Sequence, residues 1–189
     1  MENKKVQTKR IVITGGPGTG KSTIINELQN RGYNVIEEVS REVIREAKEQ
    51  GIEQLFTVKP LLFSEKLLEG REKQFFEAAE KYGDATVFFD RGIPDIAAYM
   101  NFLGNKYPDF FIKKGIELQY DHVYITPPWE EIYTTDDERY ENFQEAQLIH
   151  NKLVNMYTML NYQLTFIPFG TPEKRADYII ETTKLRNRM

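Results

Sequence analysis

Eight consecutive residues, Gly15-Gly16-Pro17-Gly18-Thr19-Gly20-Lys21-Ser22, meet the spacing G-x-x-x-x-G-K-[ST] at every fixed position. A phosphate ligand accounts for each residue type. Backbone N–H groups must converge on phosphate oxygens in conformations and at distances that a Cβ would obstruct, so the loop is rich in glycine. Lys21 brings a mobile positive charge for the β- and γ-phosphates, and Ser22 a hydroxyl for Mg²⁺. Thr23 follows at the start of a helix, whose N-terminal partial charge favours an anion. A turn that merely joined a strand to a helix would need neither four glycines nor the Lys-Ser pair. Gly15 to Thr23 is therefore expected to hold a nucleoside triphosphate. A guanine-reading Asn-Lys-x-Asp motif is missing: Asn105-Lys106-Tyr107-Pro108-Asp109 has the wrong spacing and Asn151-Lys152-Leu153-Val154 lacks the acid, which favours ATP.

Further residues suit phosphoryl chemistry. Glu37 and Glu38 end an apolar run, and alternation along a strand sends only one of them toward a cleft, where a carboxylate can orient or deprotonate a hydroxyl. Asp90-Arg91 ends the run TVFF, which resembles a Walker B strand. Asp90 would reach Mg²⁺ through water if its strand neighbours the first, and Arg91 would face phosphate charge. The charged stretch 129–142 stands where a lid would close, with Arg139 able to reach the transferring phosphoryl group. Thr171 to Arg175 lies near where an adenine base commonly rests. Tyr99, Phe102, Tyr107, Phe110 and Phe111 either wall an acceptor pocket or belong to the core.

Short apolar runs alternating with longer amphipathic ones must position these groups, the pattern of a parallel α/β sheet. Strands are expected at Ile11–Thr14, Asn34–Glu37, Thr86–Phe89, His122–Thr126 and Gln163–Ile167. Ser40 reads as the cap of a helix ending near Gly51. Pro60 opens a long helix to about Tyr82, with Leu61, Leu68, Phe75 and Tyr82 at seven-residue intervals and Ala78 and Ala79 on the same side. Ile93–Leu103 and Asp109–Leu118 read as helices. Ala146, Ile149, Leu153, Met156 and Leu160 step by three and four, which predicts an amphipathic helix, and a last helix starts near Pro172. The result is a doubly wound, three-layer sandwich with ligands beyond the carboxyl ends of the strands.

Composition narrows the function classes. The 189 residues suit a single domain, 1–189. With no cysteine, thiolate catalysis, Cys-bound zinc and disulfides are excluded, and a cytoplasmic setting is expected. Two histidines, His122 and His150, give a multi-histidine metal site little to use. A net charge of −4 argues against a nucleic-acid-coating surface. No run approaches the ~18 apolar residues of a membrane span.

Taken together, ITGGPGTGKST, EEVSREVI, VFFDRGIPDIAAY, PPWEEIY…DDERYENFQEA and FIPFGTPEKRADYII resemble the AAA-type ATPase/kinase family that is similar to the ribosylnicotinamide kinase domain of the bacterial NAD-biosynthesis regulator. The resemblance runs in order from about Lys9 to Thr183. It implies a nucleoside-kinase-like P-loop fold with sheet order 2-3-1-4-5, ATP and Mg²⁺ as cofactors, and Arg139 in a lid. It also implies Glu38 and Arg41 on the acceptor side, and Asp90 and Arg91 near the phosphates. Two functions follow. One is phosphoryl transfer from ATP to a hydroxyl of a small, nucleoside-like metabolite. The other is a nucleotide-dependent hydrolase or switch that works through a binding partner. A lid arginine together with a pocket carboxylate favours the kinase.

Overall fold

The computed structural model describes residues 7–133 and 141–186. The strands β1 (Lys9–Gly15), β2 (Asn34–Ile36), β3 (Thr86–Asp90), β4 (His122–Thr126) and β5 (Leu164–Phe166) form a five-stranded parallel sheet in the order β2-β3-β1-β4-β5. The helices are α1 (Lys21–Asn30), α2 (Ser40–Glu49), α3 (Leu55–Val58), α4 (Pro60–Tyr82), α5 (Ile93–Leu103), α6 (Phe110–Glu117), α7 (Phe143–Met159) and α8 (Pro172–Arg186), with a 3₁₀ turn at Glu130–Ile132. This is the expected three-layer P-loop sandwich, with the expected strand order.

The period-2 alternation of strand side chains divides the core into two layers. Val12, Val87, Phe89, Val123 and Ile125 face one layer with Leu68, Phe75, Ala97 and Leu153. Ile11, Ile13, Phe88 and Tyr124 face the other with Ile24, Leu28 and Ile179 of α1 and α8. Central strands covered on both faces must be apolar throughout, which is why IVIT and TVFF carry so few polar groups. The stripe of α7 is buried as its spacing requires. Asn142 Oδ1 accepts the Glu145 N–H at 2.9 Å and Glu145 Oε2 accepts the Asn142 N–H at 2.7 Å, a capping box that fixes where α7 starts.

Several local expectations are corrected. Leu61 is 38% exposed and Ala79 is exposed as well, because the buried stripe of α4 runs through Ser64, Leu67, Leu68, Arg71, Phe75 and Ala78. A seven-residue repeat drifts by ~20° per heptad on a straight helix, so its first member turns outward. Ser40 is the first residue of α2 rather than its cap, and its N–H is bonded by Glu38 Oε1 at 3.2 Å. β2 stops at Ile36, so Glu37 and Glu38 diverge in a loop and not through strand alternation. The short α3 has no counterpart in the sequence reading. Phe111 is core, Phe102 and Tyr107 pack against it, and Phe110 stacks on Phe111 with centroids 4.4 Å apart. Tyr99 also packs against the core, with its ring centre 5.0 Å from the Arg91 guanidinium. Among the described residues no helix is long and apolar enough to cross a membrane.

Candidate functional site

β1 delivers the chain into the phosphate loop at the carboxyl edge of the sheet. Gly15 passes so close to Thr126, at the end of β4, that a Cβ on it would collide with the threonine hydroxyl. Thr126 Oγ1 donates to the Thr14 carbonyl at 3.1 Å and Thr19 Oγ1 to the Gly16 carbonyl at 2.9 Å, and the two hydroxyls lie 2.7 Å apart. These bonds hold the curl of the loop from inside. Gly20 closes it at φ 75°, a left-handed conformation that side-chain-bearing residues disfavour, and α1 begins at Lys21. Arg175, in the first turns of α8, is buried and donates from Nη1 to the Thr19 carbonyl at 2.9 Å. Thus the Thr171–Arg175 segment abuts the phosphate loop. Next to it the rings of Trp129 and Phe169 stack with centroids 4.9 Å apart.

Register places the acid opposite the loop. β3 lies beside β1 with Asp90 level with Ile13, two residues before the loop starts. Lys21 Nζ reaches across to Asp90 Oδ1 at 2.7 Å, with both side chains about nine-tenths buried. Burial lowers the Lys21 pKa and the nearby Arg91 charge lowers it further, while Asp90 opposes both. The net direction is down.

A second cluster adjoins this pair. Glu38 Oε1 and Oε2 accept from Arg71 Nη2 at 2.9 and 3.1 Å, and Oε2 also pairs with Arg91 Nε at 2.8 Å. Burial pushes the Glu38 pKa up, but the Arg71 and Arg91 guanidinium groups outweigh it and hold the carboxyl below its ordinary value. Arg91 adopts φ 70°, a strained conformation for a residue with a side chain. Its N–H donates to the Ile13 carbonyl at 3.1 Å, its Nη1 contacts the Gly15 carbonyl and Asp95 Oδ1, both at 3.4 Å, and its guanidinium lies 5.0 Å from the centre of the Tyr99 ring.

The structure therefore gathers Gly16–Thr23, Glu38, Asp90 and Arg91 around one cleft of about 490 Å³, which Glu37 and Arg41 also line, while Gly15 lies beneath it against Thr126. Arg41 is exposed at the rim, and Glu37 points outward while its carbonyl accepts from Gln74 Nε2 at 2.9 Å. Arg139 lies outside the described residues. Ser22 and Asp90 offer oxygen donors at the cleft, the donor type that suits a hard cation such as Mg²⁺. Among the described residues no three His, Cys, Asp or Glu side chains converge as a metal cage. A separate hollow of about 610 Å³ beside Pro128 and His150 contains none of the predicted site residues.

Two members of the cluster escaped the sequence reading. Arg71 sits in the buried stripe of α4, three positions after Leu68. A charge in step with an apolar stripe is the signal that would have marked it. Asp95 is 1% exposed in the apolar helix IPDIAAYMNFL, where an isolated carboxylate carries the same kind of signal.

Solved structures with this architecture include deoxyadenosine kinase from M. mycoides with products dCMP and a flexible dCDP bound (TM-score 0.67, 18% identity, covering 93% of this chain and 98% of that one). Thymidylate kinase from Candida albicans aligns with TM-score 0.74 and 16% identity over 96% of this chain and 93% of that one. The NadR protein in complex with NR aligns with TM-score 0.69 and 19% identity over 94% of this chain, but this chain spans only 52% of NadR. None of the curated proteins compared matches the sequence. The family model described as "AAA domain" matches residues 10–175, a span that takes in the phosphate loop, both ion-pair clusters and all of β2 to β5, and the chain belongs to that family.

Proposed function

We propose that this chain transfers the γ-phosphoryl group of ATP, with Mg²⁺, to a hydroxyl of a small nucleoside-like molecule. The observation that carries this reading is Glu38: a buried carboxylate set between two guanidinium groups, in the same cleft as the phosphate loop. A loop that only bound and hydrolysed a nucleotide would not require it. The shared fold of the deoxyadenosine and thymidylate kinases supports the same reading.

The roles follow from charge and position. Lys21 would neutralise the β- and γ-phosphates, and Ser22 and Asp90 would hold Mg²⁺, which supplies further charge neutralisation when bound. Glu38 stays ionised but is a weak base. That is enough, because a loose phosphoryl-transfer transition state asks little proton removal before the new bond forms. Glu38 instead orients the acceptor hydroxyl and takes its proton late. A carboxylate offers about four acceptor positions; hydrogen bonds from Ser40 N–H and Arg71 fill three of them, and the Arg91 ion pair at 2.8 Å crowds the fourth. An acceptor hydroxyl must displace one of these donors. Release of Arg91 would also bring a cation to the transferring group. Arg41 at the rim would contact the acceptor, and Arg139, in the 129–142 stretch, would close over the phosphates.

The test is incubation with Mg·ATP and a mixture of nucleosides, followed by mass spectrometry. A nucleoside carrying one added phosphate is the expected product. Release of ADP and free phosphate alone would instead favour a nucleotide-dependent switch.

A further inference from the structure

Asp95 is the most enclosed carboxylate beside the site, and the transfer chemistry above does not use it. Its Oδ1 accepts from Thr14 Oγ1 at 2.5 Å and contacts Arg91 Nη1 at 3.4 Å. Its Oδ2 accepts from Tyr157 Oη at 2.5 Å and from the Gly92 N–H at 3.0 Å. Its donors come from separate parts of the fold: Thr14 is the last residue before the phosphate loop, Gly92 precedes α5, Arg91 occupies the strained turn after β3, and Tyr157 lies on α7. Burial, reinforced by Asp95, pushes the Tyr157 hydroxyl well above its ordinary pKa, so it remains a donor. With both oxygens engaged by donors from four residues, the Asp95 carboxyl group is fixed in place.

We propose that Asp95 is a positioning residue that acts through Arg91, a role that rests on the phosphoryl-transfer reading. Arg91 has two carboxylate anchors, Glu38 on Nε and Asp95 on Nη1. When an acceptor hydroxyl claims Glu38, the Asp95 anchor remains. It keeps the guanidinium within reach of the loop, next to the Gly15 carbonyl, instead of letting it swing into solvent. Tyr157 and Thr14 lock the anchor and connect its position to α7, whose Ala146 carbonyl packs against Gly16 of the loop.

Binding of Mg·ADP with and without aluminium fluoride, which mimics the transferring phosphoryl group, tests this role when the nucleoside mixture used above is present to claim Glu38. Wild-type protein should bind the fluoride complex at least ~100-fold more tightly than Mg·ADP, as transition-state mimics do. Asp95→Asn should keep Mg·ADP affinity within about threefold yet lose about tenfold or more of the fluoride tightening, since a transition-state contact is what it loses. Tyr157→Phe should lose a smaller part. In an Arg91→Ala background, Asp95→Asn should add less than about threefold, because the two residues act as one unit. Should Asp95→Asn fail to fold, the Tyr157→Phe cycle with Arg91→Ala carries the same comparison. Full fluoride tightening in these variants, or losses that multiply with Arg91→Ala, would overturn the role of Asp95 alone. A wild-type protein with no fluoride tightening would overturn the transfer reading as well.

Discussion

Lys21 and Asp90 neutralise each other across 2.7 Å, so on the proposed reading the cation meant for a triphosphate is shared with the acid meant to order Mg²⁺. The pair spans α1 and β3 and ties the loop to the sheet. Lys21→Met should weaken Mg·ATP binding by at least ~100-fold, about the effect of losing a charge-assisted contact of ~3 kcal/mol. It should also lower stability by ~1–3 kcal/mol, because Asp90 is left without its partner. Adding Asp90→Asn should restore the stability but not the affinity. Urea titration and calorimetric binding measure the two effects separately.

Glu38 makes stability depend on pH in a known direction. Its folded pKa lies below the ordinary 4.5, so its stabilisation is complete above that value and is lost as pH falls through the folded value. Glu38→Gln should be less stable than wild type by ~3 kcal/mol near neutral pH, since two buried guanidinium groups lose their shared counter-charge. The gap should narrow as pH drops below the ordinary 4.5 and through the lower folded value, where the wild-type carboxyl takes up its proton. Urea midpoints of both proteins across that range check the sign.

Arg71 holds Glu38 with two bonds from one nitrogen and donates from Nη1 to the Gly92 carbonyl at 2.7 Å. Arg71→Leu should cost ~3–5 kcal/mol, the usual result of leaving one member of a buried pair behind. Arg71→Lys keeps the charge but not the fork geometry. It should fold, bind Mg·ATP normally and turn over about tenfold more slowly because Glu38 is misplaced. Comparing kcat with nucleotide affinity in the lysine variant separates positioning from charge.

Arg139, read from the sequence as part of a closing segment, should act mainly in the water-excluding state. Arg139→Ala is expected to reduce kcat by about tenfold or more and nucleotide affinity by about threefold or less. Equal losses in both would give it a ground-state role.

The phosphate loop was legible because its chemistry is written in eight contiguous residues, and Asp90 and Arg91 because they end an apolar strand. Their meeting with Lys21 needed only the adjacency of β1 and β3, which the family resemblance supplied and the register shows. Glu38 was picked out, but its partner Arg71 was not: 33 positions separate them, and only the packing of α4 against the edge beyond β2 joins them. Asp95 and Tyr157 are 62 positions apart and meet only through the packing of α5 on α7. The face of α4 was misread at Leu61 because a heptad and a straight helix drift apart along its 23 residues. Local chemistry leaves a trace in spacing, whereas tertiary ion pairs appear only as charges that break an apolar pattern.

The central claim is that phosphoryl leaves ATP for a positioned hydroxyl rather than for water, and the ratio of phosphorylated nucleoside to ADP tests it most directly. With Mg·ATP and an accepted nucleoside, wild-type protein should form the two products in equal amounts. Glu38→Gln should bind ATP as before but lose most of the phosphorylated product, since it removes the carboxylate charge while keeping nearly the same shape. ADP formed with free phosphate and no phosphorylated nucleoside, at a rate unaffected by Glu38→Gln, would contradict the account.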